Sequence, residues 1–501
     1  MNARVLELDR ASVPALRFLR PSLLDVVYIG ILCWLILFTI AGNGMGLLID
    51  VSTGVHIRTG EYIQAHGVPH TDFFSWTRAG ERWFAWEWLT DVIFAGLFHA
   101  GGLGLITVFT AGVIALSLVV VFAHTAARGA NVFIAVLLLH FAVSNSSVHY
   151  LARPHILTLL FFAISFLIID SDLRRPSRRL WWLMPLTALW ANLHGGFAGL
   201  FATLALIAAG SALERNFAAA VRYAGALAGC LFASLVNPYG FEEHLHLIRY
   251  LSAGWLRAVV LEFQQPRFDG PGGLYFEALF AIAAWLAVRL ALERKFAAAL
   301  LVAFWGHAAL QSVRHVPILT ILVLPLLAGE LGRLWRWLLD KAAIMRTLDN
   351  IAQDYHFSLR RISIWPLAVT LLLCSPLVSL PIPEDFSDPR YPVEMVRRHA
   401  DLLSTGRLFA PDTWGDYLLF HGYPKQRVFI DGRSDFYGEK LSHDYMDILF
   451  AHHSCPELLE RYRVESALIP ADSALATLLG ENTRWRRIDG DNTAVMFVKL
   501  R

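Results

Sequence analysis

Long apolar segments alternate with short polar segments along most of the chain, from residue 26 to about residue 380. A helix of about 17–25 mainly apolar residues spans the hydrocarbon core of a bilayer. The pattern predicts eleven membrane spans, several of them short: 26–48, 103–123, 132–148, 156–169, 180–193, 197–213, 219–236, 274–292, 296–311, 316–331 and 362–380. We therefore expect an α-helical polytopic membrane protein.

Basic residues are concentrated on one side of this predicted bundle. If the spans alternate in direction, the connections on that side contain Arg128, the arginines of 174–179, Arg215 with Arg222, Arg294 with Lys295, and the basic residues of 333–361. Cytoplasmic connections of membrane proteins are enriched in Lys and Arg. Residues 1–25, which are basic, are therefore expected in the cytoplasm and the C-terminus outside. No small-residue cleavage site follows the first apolar segment, so we expect it to be retained as a span.

A second domain is predicted after the last span. The proline-rich segment 381–391 is interpreted as a linker, and residues 392–501 have the length of a small domain. Helical stretches at 393–403 and 456–462 mix with strand-like runs at 427–430, 466–469 and 494–499, which predicts an extracytoplasmic α/β domain. Charged residues of 428–438 are interpreted as a self-contained salt-bridged turn rather than a substrate contact.

The composition agrees with a membrane protein and limits the partners. Hydrophobic residues make up 56% of the chain and charged residues 17%, against roughly 25% charged in a soluble domain. We expect membrane lipids as partners and no nucleic acid. Three of the four cysteines lie in apolar segments, so neither a disulfide framework nor a cysteine-ligated metal is expected.

Polar residues cluster at the span ends on the predicted outer side. The first outer loop, 49–100, is rich in titratable groups and begins with Asp50, where the first span ends. Placing a charged side chain in hydrocarbon costs on the order of 2.5–3.5 kcal/mol, so residues of this kind tend to be functional. The candidates at the span ends are Asp50, His149, Arg153, His155, Asn192, His194, Asn237, Tyr239, Glu262, Arg314 and His315; the loop adds His56, Arg58, Glu61, Asp72 and Glu87.

These residue types fit chemistry on a lipid-linked phosphate. A polyprenyl-phosphate donor keeps its tail in lipid and its phosphate at the interface, where Arg153, Arg314, His315 and His194 can donate to it. Asp50 is placed to act as the general base for an acceptor hydroxyl. The alternatives are a helix-capping role for Asp50 and contacts between the arginines and lipid headgroups. A divalent metal held by His149, His155, His194 and Asp50 is a further alternative, but no metal-ligand motif such as HExxH is present.

The chain resembles bacterial GT-C type membrane proteins, which are related in architecture to protein O-mannosyltransferases, the aminoarabinose transferase and oligosaccharyltransferases. The residues that carry the resemblance are Asp50, His56, Thr59-Gly60-Glu61, Val68-Pro69, Asp72, Phe74-Ser75, Trp83, Glu87-Trp88-Leu89, Trp190 to Gly196, Asn237-Pro238-Tyr239-Gly240, Arg314, Trp414 to Tyr417 and Val428 to Arg433. The resemblance implies a GT-C bundle whose active site lies at the outer face of the membrane. It also implies that an acid of the first outer loop is the catalytic base.

One position departs from the family pattern. Related sequences commonly read Asp-x-Asp in the first outer loop, whereas this chain has Ser52 two residues after Asp50. The resemblance implies a glycosyltransferase of the bacterial inner membrane that transfers a sugar from a polyprenyl-phosphate donor to an envelope acceptor, which the sequence does not identify. A non-catalytic GT-C-fold envelope protein or assembly subunit is the alternative, and a transporter is a weaker one.

Overall fold

The computed structural model describes residues 18–42, 46–256, 260–270, 272–356, 363–386 and 389–500. The first part of the predicted cytoplasmic N-terminus, 1–17, lies outside the described residues. The helices of the membrane domain are α1 Leu23–Ala41, α2 Ser52–His66, α3 Trp88–Ala127, α4 Val132–Ser146, α5 His155–Arg174, α6 Leu183–Ala191, α7 Ala198–Leu213, α8 Phe217–Ala233, α9 Phe241–Ser252, α10 Gly273–Leu292, α11 Phe296–Gln311, α12 Val316–Leu339, α13 Ala343–His356 and α14 Trp365–Leu373.

The described residues contain seven helices that are long and apolar enough to cross a membrane. They are Leu23–Ala41, Trp88–Ala127, Val132–His149, His155–Arg174, Gly195–Leu213, Gly273–Leu292 and Val313–Leu339; Phe217–Ala233 and Phe296–Gln311 are shorter apolar helices. Each of the eleven predicted segments contains a helix, but α6 and α14 have only 9 residues, or about 14 Å of helix. The prediction of a multi-pass membrane protein is confirmed, whereas the count of eleven spans is not.

The first outer loop folds onto the bundle through α2 and the start of α3. Helix α3 runs from the end of this loop through the predicted span 103–123, with a break at Gly101 and Gly102, where Gly102 has φ 63°. Helices α2 and α3 approach closely at Gly60, where a Cβ would lie 2.0 Å from the carbonyl oxygen of Asp91. A larger residue at position 60 would therefore force the two helices apart.

The C-terminal domain is a four-stranded sheet covered by helices. The strands are β1 Leu408–Phe409, β2 Ser466–Pro470, β3 Trp485–Gly490 and β4 Ala494–Lys499, in the order β1-β2-β4-β3. Strand β1 pairs parallel to β2, while β4 runs antiparallel to both β2 and β3. The helices are α15 Val393–Leu403, α16 Asp412–Gly422, α17 Ser434–Leu449, α18 Cys455–Arg461 and α19 Ala474–Glu481. The predicted α/β composition is confirmed.

One predicted strand, 427–430, is wrong. Within this segment Val428 forms only an isolated bridge, with Ser75 of the first outer loop. The hydrogen bonds that would join it to a sheet are made instead to Phe74 and Trp76. The segment therefore serves to attach the C-terminal domain to the loop.

A buried ion cluster fastens this attachment. The Arg433 guanidinium lies 2.7 Å from Asp72 and 2.6 Å from Asp431, and its charge sits 4.4 Å from the ring centre of Trp83. Both carboxylates are fully buried. The segment 428–438 does contain the predicted salt-bridged turn, and Asp72 of the outer loop completes it.

Replacing Arg433 by Ala is expected to destabilise the protein by roughly 3–5 kcal/mol, because it leaves two buried carboxylates without a counter-charge. The measurement is thermal unfolding in detergent, followed by tryptophan fluorescence. Arg397→Ala is the control, since the Arg397–Glu394 pair is exposed and such a pair contributes about 0–1 kcal/mol. Equal changes in the two variants would contradict a stabilising role for the cluster.

Candidate functional site

Several helices begin at one end of the bundle, and the charged residues predicted at the span ends meet there. Asp50 and Glu262 share the guanidinium of Arg153, whose Nη1 lies 3.1 Å from Asp50 and 2.6 Å from Glu262. Arg314 Nε lies 4.0 Å from the other oxygen of Glu262, and its Nη1 donates to the hydroxyl of Tyr250 at 3.1 Å. The four charges form a chain in which carboxylates and guanidiniums alternate.

Asp50 joins this chain to the start of α2. Its Oδ1 accepts a hydrogen bond from the amide of Ser52 at 2.9 Å, while Oδ2 faces Arg153. The side chain is 28% exposed, so it remains open to a ligand. The contact with the first residue of α2 and the contact with Arg153 therefore occur together, on different oxygens of one carboxylate.

The neighbouring charges hold Arg153 and Glu262 in their ionised forms. Burial lowers the pKa of Arg153, but Glu262, Asp50 and Glu87 outweigh it and raise that pKa above its ordinary value. Burial likewise raises the pKa of Glu262, and Arg153 and Arg314 more than reverse this, so that the pKa lies well below its usual range. Both hydrogen bonds of Arg153 to carboxylates use Nη1. Among the described residues, Nε and Nη2 make no further hydrogen bond and are open to another acceptor.

A second buried cluster lies beside the first. His56 Nδ1 is 2.7 Å from Asp91, and its Nε2 is 3.9 Å from Glu87. Glu87 also lies 3.4 Å from Nε2 of His194. Because Nδ1 of His194 accepts from the amide of Gly196, the proton of the neutral ring sits on Nε2 and faces Glu87.

Burial and neighbouring charges shift the pKa values of Glu87, His194 and His56 in this cluster. Burial raises the pKa of Glu87 to about 7, with His56 acting in the opposite direction. Burial also lowers the pKa of His194 well below its ordinary value, aided by Arg314 and His155, so this ring stays neutral. For His56 burial lowers the pKa, but the hydrogen bond and charge of Asp91 outweigh it and the pKa is raised.

The raised pKa of Glu87 predicts a pH-dependent stability. Between its unfolded value of about 4.5 and its folded value of about 7, the folded state binds a proton that the unfolded state does not. This bound proton contributes on the order of 3 kcal/mol to the free energy of unfolding. The contribution is fully present below about pH 4.5 and is lost as the pH rises through about 7.

Glu87→Gln imitates the protonated carboxyl, so it is expected to melt at a higher temperature than the wild type at pH 8 and at a similar temperature at pH 5. Melting curves from pH 5 to pH 8.5 in detergent test this. Glu457→Gln, an exposed change in the C-terminal domain, should follow the wild type throughout. A Glu87→Gln curve parallel to the wild type would contradict the shift.

A cavity of about 270 Å³ opens beside these clusters. Five of the predicted site residues line it: His149, His155, His194, Arg314 and His315. Three of the imidazoles contact backbone carbonyls, His149 that of Val313, His155 that of His149 and His315 that of Ala308. These contacts fix the ring orientations. In the described part of the chain, no group of three or more His, Cys, Asp or Glu is arranged to hold a metal ion.

A larger groove of about 1530 Å³ lies on the outside of the bundle between α1, α4 and α10. Its lining includes Trp34 and Phe38 of α1, which are exposed on the surface that a bilayer would cover. It also includes Ile49 and Leu151, neighbours in sequence of Asp50 and Arg153. The groove thus runs from the apolar surface of the bundle to residues that lie close in sequence to the charged cluster.

The remaining predicted site residues have structural contacts. Arg58 pairs with Glu61 and donates to the carbonyl oxygen of Phe420 in α16. Asp72 belongs to the ion cluster with Arg433. Asn192 accepts a hydrogen bond from Trp88 Nε1 and donates one to the carbonyl of Val236. Asn237 closes a turn by accepting from the amide of Tyr239. The Tyr239 hydroxyl accepts from the amide of Ala85 and donates to the carbonyl of Pro69, both in the outer loop. These residues hold the loop and the turns around the site in place.

One residue of the site, Asp91, is missing from the sequence prediction. It lies at the start of an apolar run, where hydropathy assigns it to a helix that enters the membrane. The signal that identifies it is its spacing from Glu87, because residues four apart lie on one face of a helix. Both carboxylates indeed face His56.

These features define a multi-pass membrane protein with a partly buried charged site where its helices begin, next to a groove on its apolar surface. No protein-family model and no curated protein sequence matches the chain. Its structure is similar to the oligosaccharyltransferase of Archaeoglobus fulgidus in the apo form (TM-score 0.48, 10% identity, covering 89% of this chain and 70% of that one). It is also similar to archaeal AglB from the same organism in complex with an inhibitory peptide and a dolichol-phosphate (0.49, 11%, 89% and 69%).

A third similar structure is that of ArnT from Cupriavidus metallidurans in the apo state (TM-score 0.46, 12% identity, covering 89% of this chain and 93% of that one). All three likenesses are of overall fold, at 10–12% sequence identity.

Proposed function

We propose that the protein is a membrane glycosyltransferase that moves a sugar from a polyprenyl-phosphate donor to an acceptor hydroxyl. The observation that carries the proposal is the alternating cluster of Asp50, Arg153, Glu262 and Arg314 beside a groove on the apolar surface. An apolar groove suits an isoprenoid tail, and guanidiniums at its end suit the phosphate. Dolichol-phosphate in complex with the similar AglB is a lipid of this class.

In this proposal the donor phosphate binds at Arg153. Nε and Nη2 of Arg153 are open to an acceptor among the described residues, while Nη1 stays with Asp50 and Glu262. Glu262 keeps the guanidinium in place and Arg314 adds a second positive charge. The sugar then extends toward the cavity lined by His194, His155 and Arg314.

The transfer step uses Asp50 as the general base. The acceptor hydroxyl gives its proton to Asp50 as its oxygen bonds to the anomeric carbon of the sugar. The bond between that carbon and the phosphate oxygen breaks, and its electron pair stays on the phosphate. Arg153 and Arg314 stabilise the negative charge that develops on the leaving polyprenyl phosphate.

The test of this function is sugar transfer in vitro. Purified protein in lipid nanodiscs is incubated with polyprenyl-phosphate sugars, and release of polyprenyl phosphate is measured with and without candidate acceptors. Turnover of at least one donor is expected, and it should be lost in Asp50→Asn. A protein that binds such donors and turns none over supports the second candidate, a non-catalytic member of the fold. Ser52, in place of a second acid, is the observation that favours it.

We further propose that the protein lies in the bacterial inner membrane with its N-terminus in the cytoplasm and its C-terminal domain in the periplasm. Reporter fusions after Arg20, Arg179 and Arg346 are expected to read cytoplasmic, and a fusion after Arg501 periplasmic, because the connections predicted inside carry the basic residues. Each position is tested with two reporters, one active only in the cytoplasm and one active only in the periplasm. The two readings at each position then check each other. A cytoplasmic reading after Arg501 would contradict the orientation and, with it, the outer position of the site.

A further inference from the structure

A basic cavity of about 500 Å³ lies at the end of the bundle opposite to the candidate site. Its charged lining comes from residues near the helix ends that point away from that site, such as Arg128 after α3 and Arg174 in the last turn of α5. Helix α5 has 20 residues, which span about 30 Å, the thickness of the hydrocarbon core. The cavity is therefore placed at the opposite interface of the bilayer.

The lining has an excess of positive charge. The net charge of the lining is +2, from five cationic side chains and three carboxylates. The cationic residues are Arg128, Arg174, Lys295, Arg333 and Arg336, and the carboxylates are Asp170, Glu214 and Glu330. The carboxylates are already engaged. Asp170 contacts His124, Arg128 and Arg174; Glu330 contacts Arg289 and Arg333; and Glu214 accepts from the amide of Ala297.

Two guanidiniums remain open to a further acceptor. Arg128 Nε is buried and makes no hydrogen bond in the described part of the chain; its nearest carboxylate oxygen, on Asp170, is 3.7 Å away. Arg336 lines the same cavity and has no ion pair among the residues that the structure describes. A buried donor without an acceptor is costly. An anion between Arg128 and Arg336 would give the buried Nε of Arg128 an acceptor and would pair with the exposed guanidinium of Arg336.

The rest of the lining identifies the kind of anion. Apolar side chains, among them Phe166, Leu173 and Leu290, form the walls next to the charged residues. Helix α11 begins here, with Ala297 and Ala298 in the lining, and the amides of a first helical turn favour negative charge. A cationic pocket with apolar walls between membrane helices matches a phospholipid, whose phosphate is charged and whose chains are apolar.

We propose that this cavity binds the phosphate headgroup of an anionic phospholipid in the leaflet opposite to the candidate site. Arg128 and Arg336 donate to the phosphate oxygens, and the acyl chains lie along Phe166, Leu173 and Leu290. This site is distinct from the donor site proposed around Arg153, and its occupancy does not depend on glycosyl transfer.

The test is lipid retention measured by native mass spectrometry. The protein is exchanged into detergent and titrated with phosphatidylglycerol, cardiolipin or phosphatidylcholine. The expected result is binding of an anionic lipid at least about tenfold tighter than that of phosphatidylcholine. The double variant Arg128→Gln/Arg336→Gln should lose that preference by about tenfold or more. Arg178→Gln/Arg179→Gln is the matched control, because it removes two exposed arginines at the same end of the bundle outside the cavity and should bind as the wild type does.

Two further measurements distinguish the outcomes. Thermal unfolding in phosphatidylcholine should give the same midpoint for both double variants, which shows that lost binding is not lost folding. The second measurement adds inorganic phosphate at millimolar concentration to the lipid-bound protein. If the midpoints are equal and the bound lipid stays in place, the cavity recognises the phosphate as part of a lipid. Equal loss in both double variants, equal binding of phosphatidylcholine, or full displacement by inorganic phosphate would each overturn the proposal.

Discussion

Replacing Asp50 by Asn is expected to lower sugar transfer by about 10²–10⁴-fold, the usual contribution of a general base. An amide has nearly the same size as a carboxylate but cannot take up the proton of the acceptor hydroxyl. The fold should survive, because an amide oxygen can still accept from the amide of Ser52 and Asn caps a helix about as well as Asp. If Asp50 only caps the helix, the transfer rate of Asp50→Asn should be almost unchanged. The transfer rates expected for the two roles therefore differ by about two orders of magnitude or more.

The measurement is transfer from a polyprenyl-phosphate donor at saturating donor concentration, so that any change in donor affinity does not enter the rate. Asp472→Asn, an exposed change in the C-terminal domain, is the control and should transfer as the wild type does. Undiminished transfer by Asp50→Asn would remove Asp50 from the mechanism. Glu87 and Asp91 would then be the next carboxylates to replace, since they form the cluster beside the cavity with His56 and His194.

Hydropathy predicts the helices of this fold well because membrane-spanning segments must be both apolar and long. It does not settle the number of spans, for a physical reason. Apolar composition does not fix where a helix begins and ends: α6 starts only after the 3₁₀ turn Arg178–Trp182, and α14 ends at Leu373, just before Ser375 and Pro376. An apolar segment of membrane length can therefore contain a helix of only 9 residues.

The sequence predicts which end of the bundle carries the site, but not which residues meet there. Arg153, Glu262 and Arg314 come from three distant connections, and their common face follows from the alternation of the spans. Their pairing depends on how the helices pack, which hydropathy does not encode. Conversely, residues that are close in sequence need not belong to one site. Asp72 lies in the same loop as Asp50, but it pairs with Arg433 of the C-terminal domain.

The outer loop has two functions in the structure, which explains why its titratable residues divide into two groups. Asp50, His56 and Glu87 face the bundle and its charged site. Asp72 and the Arg58–Glu61 pair face the C-terminal domain. A single loop thus links the site to the C-terminal domain, so that a displacement of that domain would also displace α2, whose first residue, Ser52, donates to Asp50.

Replacing Arg153 by Ala is expected to weaken binding of a polyprenyl-phosphate donor by about 10²–10³-fold. The change removes the proposed charge-assisted phosphate contact. It also leaves two partly exposed carboxylates, Asp50 and Glu262, without their shared cation, so that their negative charges repel the phosphate. Arg153→Lys should recover only part of the loss. An ammonium can still lie between the two carboxylates, but it cannot present two parallel N–H groups to a phosphate as a guanidinium does.

The dissociation constant of the donor lipid, measured by native mass spectrometry, tests this expectation, and the melting temperature of each variant shows how much of the loss comes from the fold. Arg178→Ala is the control, because this exposed arginine lies at the opposite end of the bundle. Equal losses in Arg153→Ala and Arg178→Ala would mean that both arginines act only as general headgroup contacts. Full recovery by Lys would mean that Arg153 supplies charge to Asp50 and Glu262 without binding the phosphate in bidentate fashion.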